Sequence, residues 1–244
     1  MKALLLDFGG VLVEGAKRPS WPAELAKEVH GRLARAGCLD LDVAEVELDI
    51  RAGADADRYW KDAMSRLAAP AEMTHRQFWG DYVAADWPAA ARELVLAEAS
   101  ALCRLMGELR QERRLRPGVR ELLAACEVPV AVVSNALCGA VHRDFVARQE
   151  LPVALQVYSD EVGVRKPNPE MIWIATRALG VDPADVWYVG DNFDRDALCG
   201  VRAGVGTTVI VRSSSTDKIP YRVRQRPSAV VDDIPALIAL MSAS

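Results

Sequence analysis

The sequence predicts an α/β protein: a parallel sheet with helices on both faces, carrying an added helical stretch. Three observations point there. Short, almost wholly apolar runs recur in the second half of the chain, amphipathic segments alternate with them, and polar residues gather just after several runs. Strand and helix patterns that alternate build a parallel sheet, and strands buried on both faces are apolar throughout.

The elements follow in order. Residues 1 to about 13 form an apolar strand and a turn, the strand delivering Asp7 at its end, followed by Phe8, Gly9 and Gly10. From 14 to 115 the chain reads as helical and polar-faced, with no convincing strand. Arg116-Pro117-Gly118 marks the return, with proline suited to opening a helix. The later strand-like runs are 128–133, 156–158, 186–189, 207–211 and 229–231. Helical patterns over 118–126, 139–149, 169–179, 194–203 and 234–241 separate them. The stretch 14–115 is therefore an insertion between the first two strands of the sheet, and 1–13 with 116–244 form the core. Ser213-Ser214-Ser215 reads as a surface loop.

Composition sets the outer limits. At 244 residues the length suits a core domain carrying a smaller one, and 51% hydrophobic residues suffice for a buried core. A net charge of −4 gives no footprint for nucleic acid or an anionic membrane. No segment approaches the roughly 20 apolar residues of a membrane span, and residues 3–6 are too short for a signal-peptide core. The five cysteines are scattered and read as reduced thiols of a cytoplasmic protein.

In an open parallel sheet, ligands bind at the carboxyl edge, so residues just past each strand carry the chemistry. Asp7 there can be a covalent nucleophile or a metal ligand, or can simply start a turn. Ser134-Asn135 follows the second sheet strand; a hydroxyl and main-chain amides can hold a phosphoryl oxygen, or can cap a helix. Lys166 precedes Pro167 and so sits in extended backbone; alone it reads as a solvated surface charge. Gly190-Asp191 opens a run in which Asp191, Asp194 and Asp196 repel one another unless a cation or lysine offsets them.

In that order these four segments resemble the motifs of the haloacid dehalogenase superfamily. The matching residues are Asp7-Phe8-Gly9-Gly10-Val11-Leu12, Ser134-Asn135, Lys166-Pro167, and Gly190-Asp191 through Asp196. The resemblance implies a Rossmann-like catalytic core over 1–13 and 116–244, with 14–115 as a helical cap domain. It implies an Mg²⁺-dependent phosphatase acting on a small phosphorylated metabolite, a sugar phosphate or nucleotide, as a monomer or homodimer. Asp7 would be the nucleophile. Asp7, the Gly9 carbonyl and Asp191 would hold magnesium in an oxygen shell. Ser134, Asn135 and Lys166 would bind the phosphoryl group, and Asp196 would orient Lys166 or a metal-bound water.

One departure is mechanistic. Phosphatases of the family place a second aspartate two residues after the nucleophile, where it protonates the leaving alcohol; here that residue is Gly9. Three readings stay open: the proton comes from the cap, a metal-bound water or the substrate; the chemistry does not need that acid; or the chain is a degenerate binding or regulatory protein. The second covers dehalogenases, whose fourth motif lacks the metal-binding acid kept here as Asp191. It also covers phosphonatases, which carry a small residue at the Gly9 position and need a cap lysine such as Lys17 or Lys27. Other candidates in the cap are Glu14, Arg18 and Trp21 near the hinge, and Tyr59, Trp60, Trp79, Tyr82 and Trp87 within it. Arg113, Arg114 and Arg116 read as a solvated face or hinge.

Overall fold

The computed structural model describes residues 1–218 and 221–243. Strands β1 (Ala3–Leu6), β2 (Val13–Lys17), β3 (Gln111–Leu115), β4 (Val130–Ser134), β5 (Leu155–Tyr158), β6 (Val186–Gly190), β7 (Thr207–Val211) and β8 (Ala229–Val231) make two sheets. The larger has the order β5-β4-β1-β6-β7-β8, and every neighbouring pair in it is parallel. The chain runs outward from β1 to β4 and β5, then crosses back to build β6, β7 and β8 on the other side. The strand order thus reverses beside β1, where open sheets leave a crevice for ligands.

Alternation along each strand sorts side chains to the two faces. Leu4, Leu6, Val130, Val132, Val189 and Val209 pack with Val119, Leu122, Phe145 and Leu237 on one face. Ala3, Leu5, Ala131, Val133 and Tyr188 pack with Met171, Ile172, Ala175 and Cys199 on the other. Helices Val119–Ala125, Gly139–Arg148 and Ile234–Ser242 therefore cover the first face, and Glu170–Leu179 and Leu198–Ala203 the second. Each fully buried Leu or Val side chain contributes about 1.5–3 kcal/mol.

The chain divides into two compact units: residues 1–15, 64–72 and 113–244, and residues 16–63 and 73–112. The sheet unit thus takes in 64–72, a stretch that the sequence assigns to the insertion. Its anchors explain this. Ala71 bridges to Val164, the Glu72 N–H donates to the Gly163 carbonyl (2.9 Å), and Arg202 donates to the Leu67 carbonyl (2.8 Å). Glu72 also carries the counter-charge for the buried Arg165, at 2.8 Å.

The second unit is helical, with helices Trp21–Arg35, Ala89–Ala97 and Ala99–Leu109 and a π-helical turn over Phe78–Val83. Helix Val43–Met64 runs to its boundary. Leu25, Val29, Val46, Ile50, Trp79 and Leu102 are wholly buried there. Trp87 is a structural residue, donating its indole N–H to Asp49 (2.7 Å), whereas Lys17, Lys27 and Tyr59 are exposed.

The expectation of no strand within 14–115 is corrected by the ribbon of β2 and β3. Gln111–Leu115 (Gln-Glu-Arg-Arg-Leu) alternates between exposed and half-buried and has no apolar face to announce it. Glu14 and Arg114 pair across this ribbon at 3.1 Å.

The half-buried His142 makes stability depend on pH. The ring of His142 stacks on Phe8 at 4.0 Å and meets Tyr158 edge-on at 5.3 Å. Burial, with Arg113 adding to it, pushes its pKa down to about 3 from an ordinary 6.5. His142 is thus neutral when folded, while the unfolded chain takes up a proton below pH 6.5. The stability is present above 6.5 and is lost as pH falls toward 3, at about 1.4 kcal/mol per unit. Urea unfolding at pH 5 should therefore give a free energy about 2 kcal/mol below that at pH 7 from this residue. His142→Phe should remove that part of the slope; an unchanged slope would refute the assignment.

Candidate active site

The register of the sheet brings the four motifs together. Leu6 pairs with Val132 of β4 and Val189 of β6, so Asp7 lies level with Val133 and Gly190. Ser134 and Asp191 each come one residue later. The Asp7 main-chain N–H continues the ladder, donating to the Val189 carbonyl (2.8 Å).

Lys166 reaches the same point from the loop after β5. It is buried, not solvated: its Nζ lies 2.8 Å from Asp7 Oδ1, 2.6 Å from Asp196 Oδ1 and 3.1 Å from the Val133 carbonyl. The loop is held from both sides. Asn135 accepts the Lys166 N–H (2.7 Å) and donates to its carbonyl (3.0 Å), and the Lys166–Pro167 peptide is cis. The Asn135 side chain is therefore spent on Lys166, and any contact of Asn135 with a ligand falls to its main chain. Arg165 pairs with Glu72, whose other carboxylate oxygen accepts the Ser159 hydroxyl (2.5 Å).

Asp196 has no free oxygen. Oδ1 takes Lys166 and the Tyr188 hydroxyl (2.7 Å), and Oδ2 accepts the main-chain N–H groups of Asp191 (3.1 Å) and Asn192 (3.0 Å). A Cβ at Gly190 would fall on Asp196, so only glycine lets the chain pass. Asp196 holds Lys166 and pins the loop bearing Asp191.

Asp7, Asp191 and Asp196 each offer an oxygen within 4.8 Å of the others. Burial raises the pKa of Asp7; Lys166 and a hydrogen bond from Ser134 work against the rise, and Asp196 adds to it. Burial, then Asp196 and Asp7, pushes Asp191 up to about 7. Asp196 goes the other way: burial is outweighed by Lys166 and Tyr188, and its pKa is lowered. Burial opposes charge on Lys166 as well, but Asp196 and Asp7 more than offset it and its pKa rises. One buried ammonium thus faces three carboxylates, with the Arg195 charge also felt at Asp191.

With Asp196 committed, Asp191 and Asp7, the latter sharing the Lys166 charge, remain as hard oxygen donors. Such a set fits a divalent cation like Mg²⁺. Gly10 shapes this corner: its φ is +75°, and a Cβ there would collide with the Asp191 carboxylate. Gly9 is exposed, and a Cβ built on it meets nothing within 4 Å.

Several contributors carry no motif. Tyr188 faces Asp196 from within β6. Arg116 donates to the carbonyls of Gly10 and Arg212 (the latter 2.6 Å), so this member of the basic cluster is tied to the loop after Asp7. Ser213, in the supposed surface loop, donates to Asp191 Oδ2 (2.6 Å). Polar residues just past β7 were the available signal, since Asp7 and Asp191 likewise come just past β1 and β6 and Ser134 closes β4.

Removing the ammonium should be costly. Lys166→Met leaves Asp7 and Asp196 buried without a counter-charge, for an expected loss of about 3–5 kcal/mol in urea unfolding. A variant as stable as wild type would show that Lys166 is not the compensating charge.

Comparisons with known proteins agree on one family. The chain is 41% identical over 76 residues to glyceraldehyde 3-phosphate phosphatase of Methanopyrus kandleri, covering 31% of this chain and only 33% of that protein. It is 28% identical over 224 residues to phosphoserine phosphatase of Thermus thermophilus, covering 83% and 87%. Among solved structures, a HAD phosphatase from Thermococcus onnurineus superposes with a TM-score of 0.59 at 16% identity, over 99% of this chain and 98% of that one. A 2-haloacid dehalogenase from Pseudomonas syringae gives 0.62 at 19% identity, over 100% and 99%; at such identities the likeness is one of fold. Among the described residues no helix is long and apolar enough to cross a membrane. The model of the haloacid dehalogenase-like hydrolases matches residues 1–204, with the four motif segments inside the match, and the chain belongs to that family.

Proposed function

We propose that this protein is an Mg²⁺-dependent phosphatase that hydrolyses a small phosphorylated metabolite, a sugar phosphate or nucleotide, through a phosphoryl group carried on Asp7. The observation that supports this most is the Asp7 carboxylate at the carboxyl edge of the sheet, with Lys166 and Ser134 against it and Asp191 beside it. Relatives named for glyceraldehyde 3-phosphate, phosphoserine and N-acetylmuramic acid 6-phosphate support the same class of phosphomonoester.

An Asp7 oxygen attacks phosphorus in line as the bond to the leaving oxygen breaks, giving an acyl phosphate. Water then attacks that phosphorus, releasing inorganic phosphate and regenerating Asp7. Nucleophile and substrate are both anionic, so positive charge must be in place beforehand. Lys166 supplies part of it, and the Ser134 hydroxyl and the Asn135 main-chain amide offer donors to the phosphoryl oxygens. Asp7, Asp191 and the Gly9 carbonyl would hold Mg²⁺, which supplies the remaining charge neutralisation. Asp196 keeps Lys166 charged and aimed. Residue 9 has no side chain to protonate the leaving oxygen, so that proton comes from elsewhere, and substrates that leave easily should be favoured.

The kept Asp191 separates this reading from dehalogenation, and the exposed Lys17 and Lys27 give no support to a Schiff-base mechanism. Cysteines that form no disulfide support a reducing, cytoplasmic setting. The test is a phosphate-release screen of phosphorylated metabolites with Mg²⁺, run in parallel with excess EDTA. Release that depends on Mg²⁺ is expected. Release unaffected by EDTA would end the metal assignment, and no release from any substrate would end the phosphatase reading.

A further inference from the structure

We infer that Ser213, backed by Thr216, is a positioning residue for the Asp191 carboxylate, so that the end of β7 is a fifth contributor to the site. The inference rests on the reading that Asp191 holds Mg²⁺.

The placement follows from register. Gly190 pairs with Ile210, so Asp191 lies level with Val211, and the first turn beyond β7 arrives beside the Asp191 side chain. The turn is closed by its own hydroxyls. The Ser213 N–H donates to Thr216 Oγ1 (2.8 Å), and the Ser215 N–H donates to Ser213 Oγ (2.9 Å). With that acceptor position filled, the Ser213 hydroxyl proton is directed at Asp191 Oδ2, 2.6 Å away. Thr216, itself buried, donates its hydroxyl to the Asp191 main-chain carbonyl at 2.7 Å. The turn thus grips Asp191 by side chain and backbone together.

The grip selects one oxygen. Oδ2 faces Ser213 and the space that a Cβ at Gly10 would need, while Oδ1 accepts no hydrogen bond among the described residues. A carboxylate so held presents Oδ1 in a fixed direction, as a metal ligand must. The turn is also tied to the nucleophile loop, because Arg116 donates to the carbonyls of both Gly10 and Arg212. Partners that orient a metal ligand are typically worth about 10–100-fold in metal affinity.

The test is a Mg²⁺ titration of the intact protein without substrate, by calorimetry and by melting temperature, on wild type, Ser213→Ala, Ser213→Thr and Asp191→Asn. Wild type should bind Mg²⁺ and melt higher with it. Ser213→Ala should stay folded and melt only a few degrees below wild type without metal, but need about 10–100-fold more Mg²⁺. Ser213→Thr keeps the hydroxyl and should stay within a few-fold of wild type. With phosphatase substrate, Ser213→Ala should show a raised Mg²⁺ requirement but recover most of its turnover at saturation, a split that a merely structural loss would not give. An Mg²⁺ midpoint for Ser213→Ala within twofold of wild type, beside an Asp191→Asn variant that no longer responds, overturns the role of Ser213 and leaves the metal reading standing. An Asp191→Asn variant that responds like wild type overturns both.

Discussion

Asp7→Asn is expected to lower turnover by at least about 10³-fold, or roughly 4 kcal/mol in the barrier, while leaving the protein as stable as wild type or more so. On the proposed reading the Asp7 carboxylate, at the sheet edge against Lys166, attacks phosphorus, and an amide oxygen is a far weaker nucleophile. Stability should follow the opposite course. Burial raises the pKa of Asp7, so the folded protein bears a cost for keeping it charged, and a neutral isostere removes that cost. Lys166 is not orphaned by the change, because Asp196 lies 2.6 Å from its Nζ. Phosphate release and metal-free melting curves on the same preparations check both halves. A variant with more than a tenth of wild-type turnover would end the nucleophile assignment.

Gly9→Asp is expected to raise turnover of alkyl phosphates by about 10²-fold, the lower end of what general acid help contributes. The position can take the side chain. A Cβ on Gly9 meets nothing within 4 Å, and Gly9 is not among the residues with positive φ, so an aspartate needs no backbone strain. Gly10 is the contrast: there the added carbon would strike Asp191. The gain should depend on the leaving group. Alkyl phosphates release a strongly basic alkoxide that needs a proton, whereas aryl phosphates release a weakly basic phenolate that does not. A gain for alkyl and little for aryl substrates is the expected signature. Equal rates before and after the substitution, with both substrates, would show that leaving-group protonation does not limit this enzyme.

The elements that bury apolar surface were legible in the sequence. The runs read as strands at 207–211 and 229–231 are β7 and β8, β1 lies within the strand and turn read over 1–13, and the other sheet strands differ only at their ends. Such runs are visible because a strand covered on both faces must be apolar at every position. The ribbon of β2 and β3 hid because, apart from the buried Val13, its residues are exposed or half-buried and form no apolar run. The return of 64–72 to the sheet unit hid for another reason. What holds it is hydrogen bonding to its main chain, much of it from the side chains of Arg202, Asn168 and Tyr221, together with the Glu72 carboxylate, and none of this leaves a periodic trace.

By itself, the sequence determined the parallel sheet, and four segments that resemble the family's motifs single out Asp7, Ser134, Lys166 and Asp191. Only the tertiary structure decided what those residues meet. Lys166 read alone is a surface charge; folded, it is buried between Asp7 and Asp196. Asp196 read alone is one more carboxylate in an acidic run; folded, it is saturated by Lys166, Tyr188 and two main-chain donors, which leaves Asp7 and Asp191 for a cation. Ser213 and Arg116 enter the site through strand register and loop closure. The physical reason is common to all of them: burial and partnership are properties of segments brought together from far apart in the chain, and no local pattern encodes them.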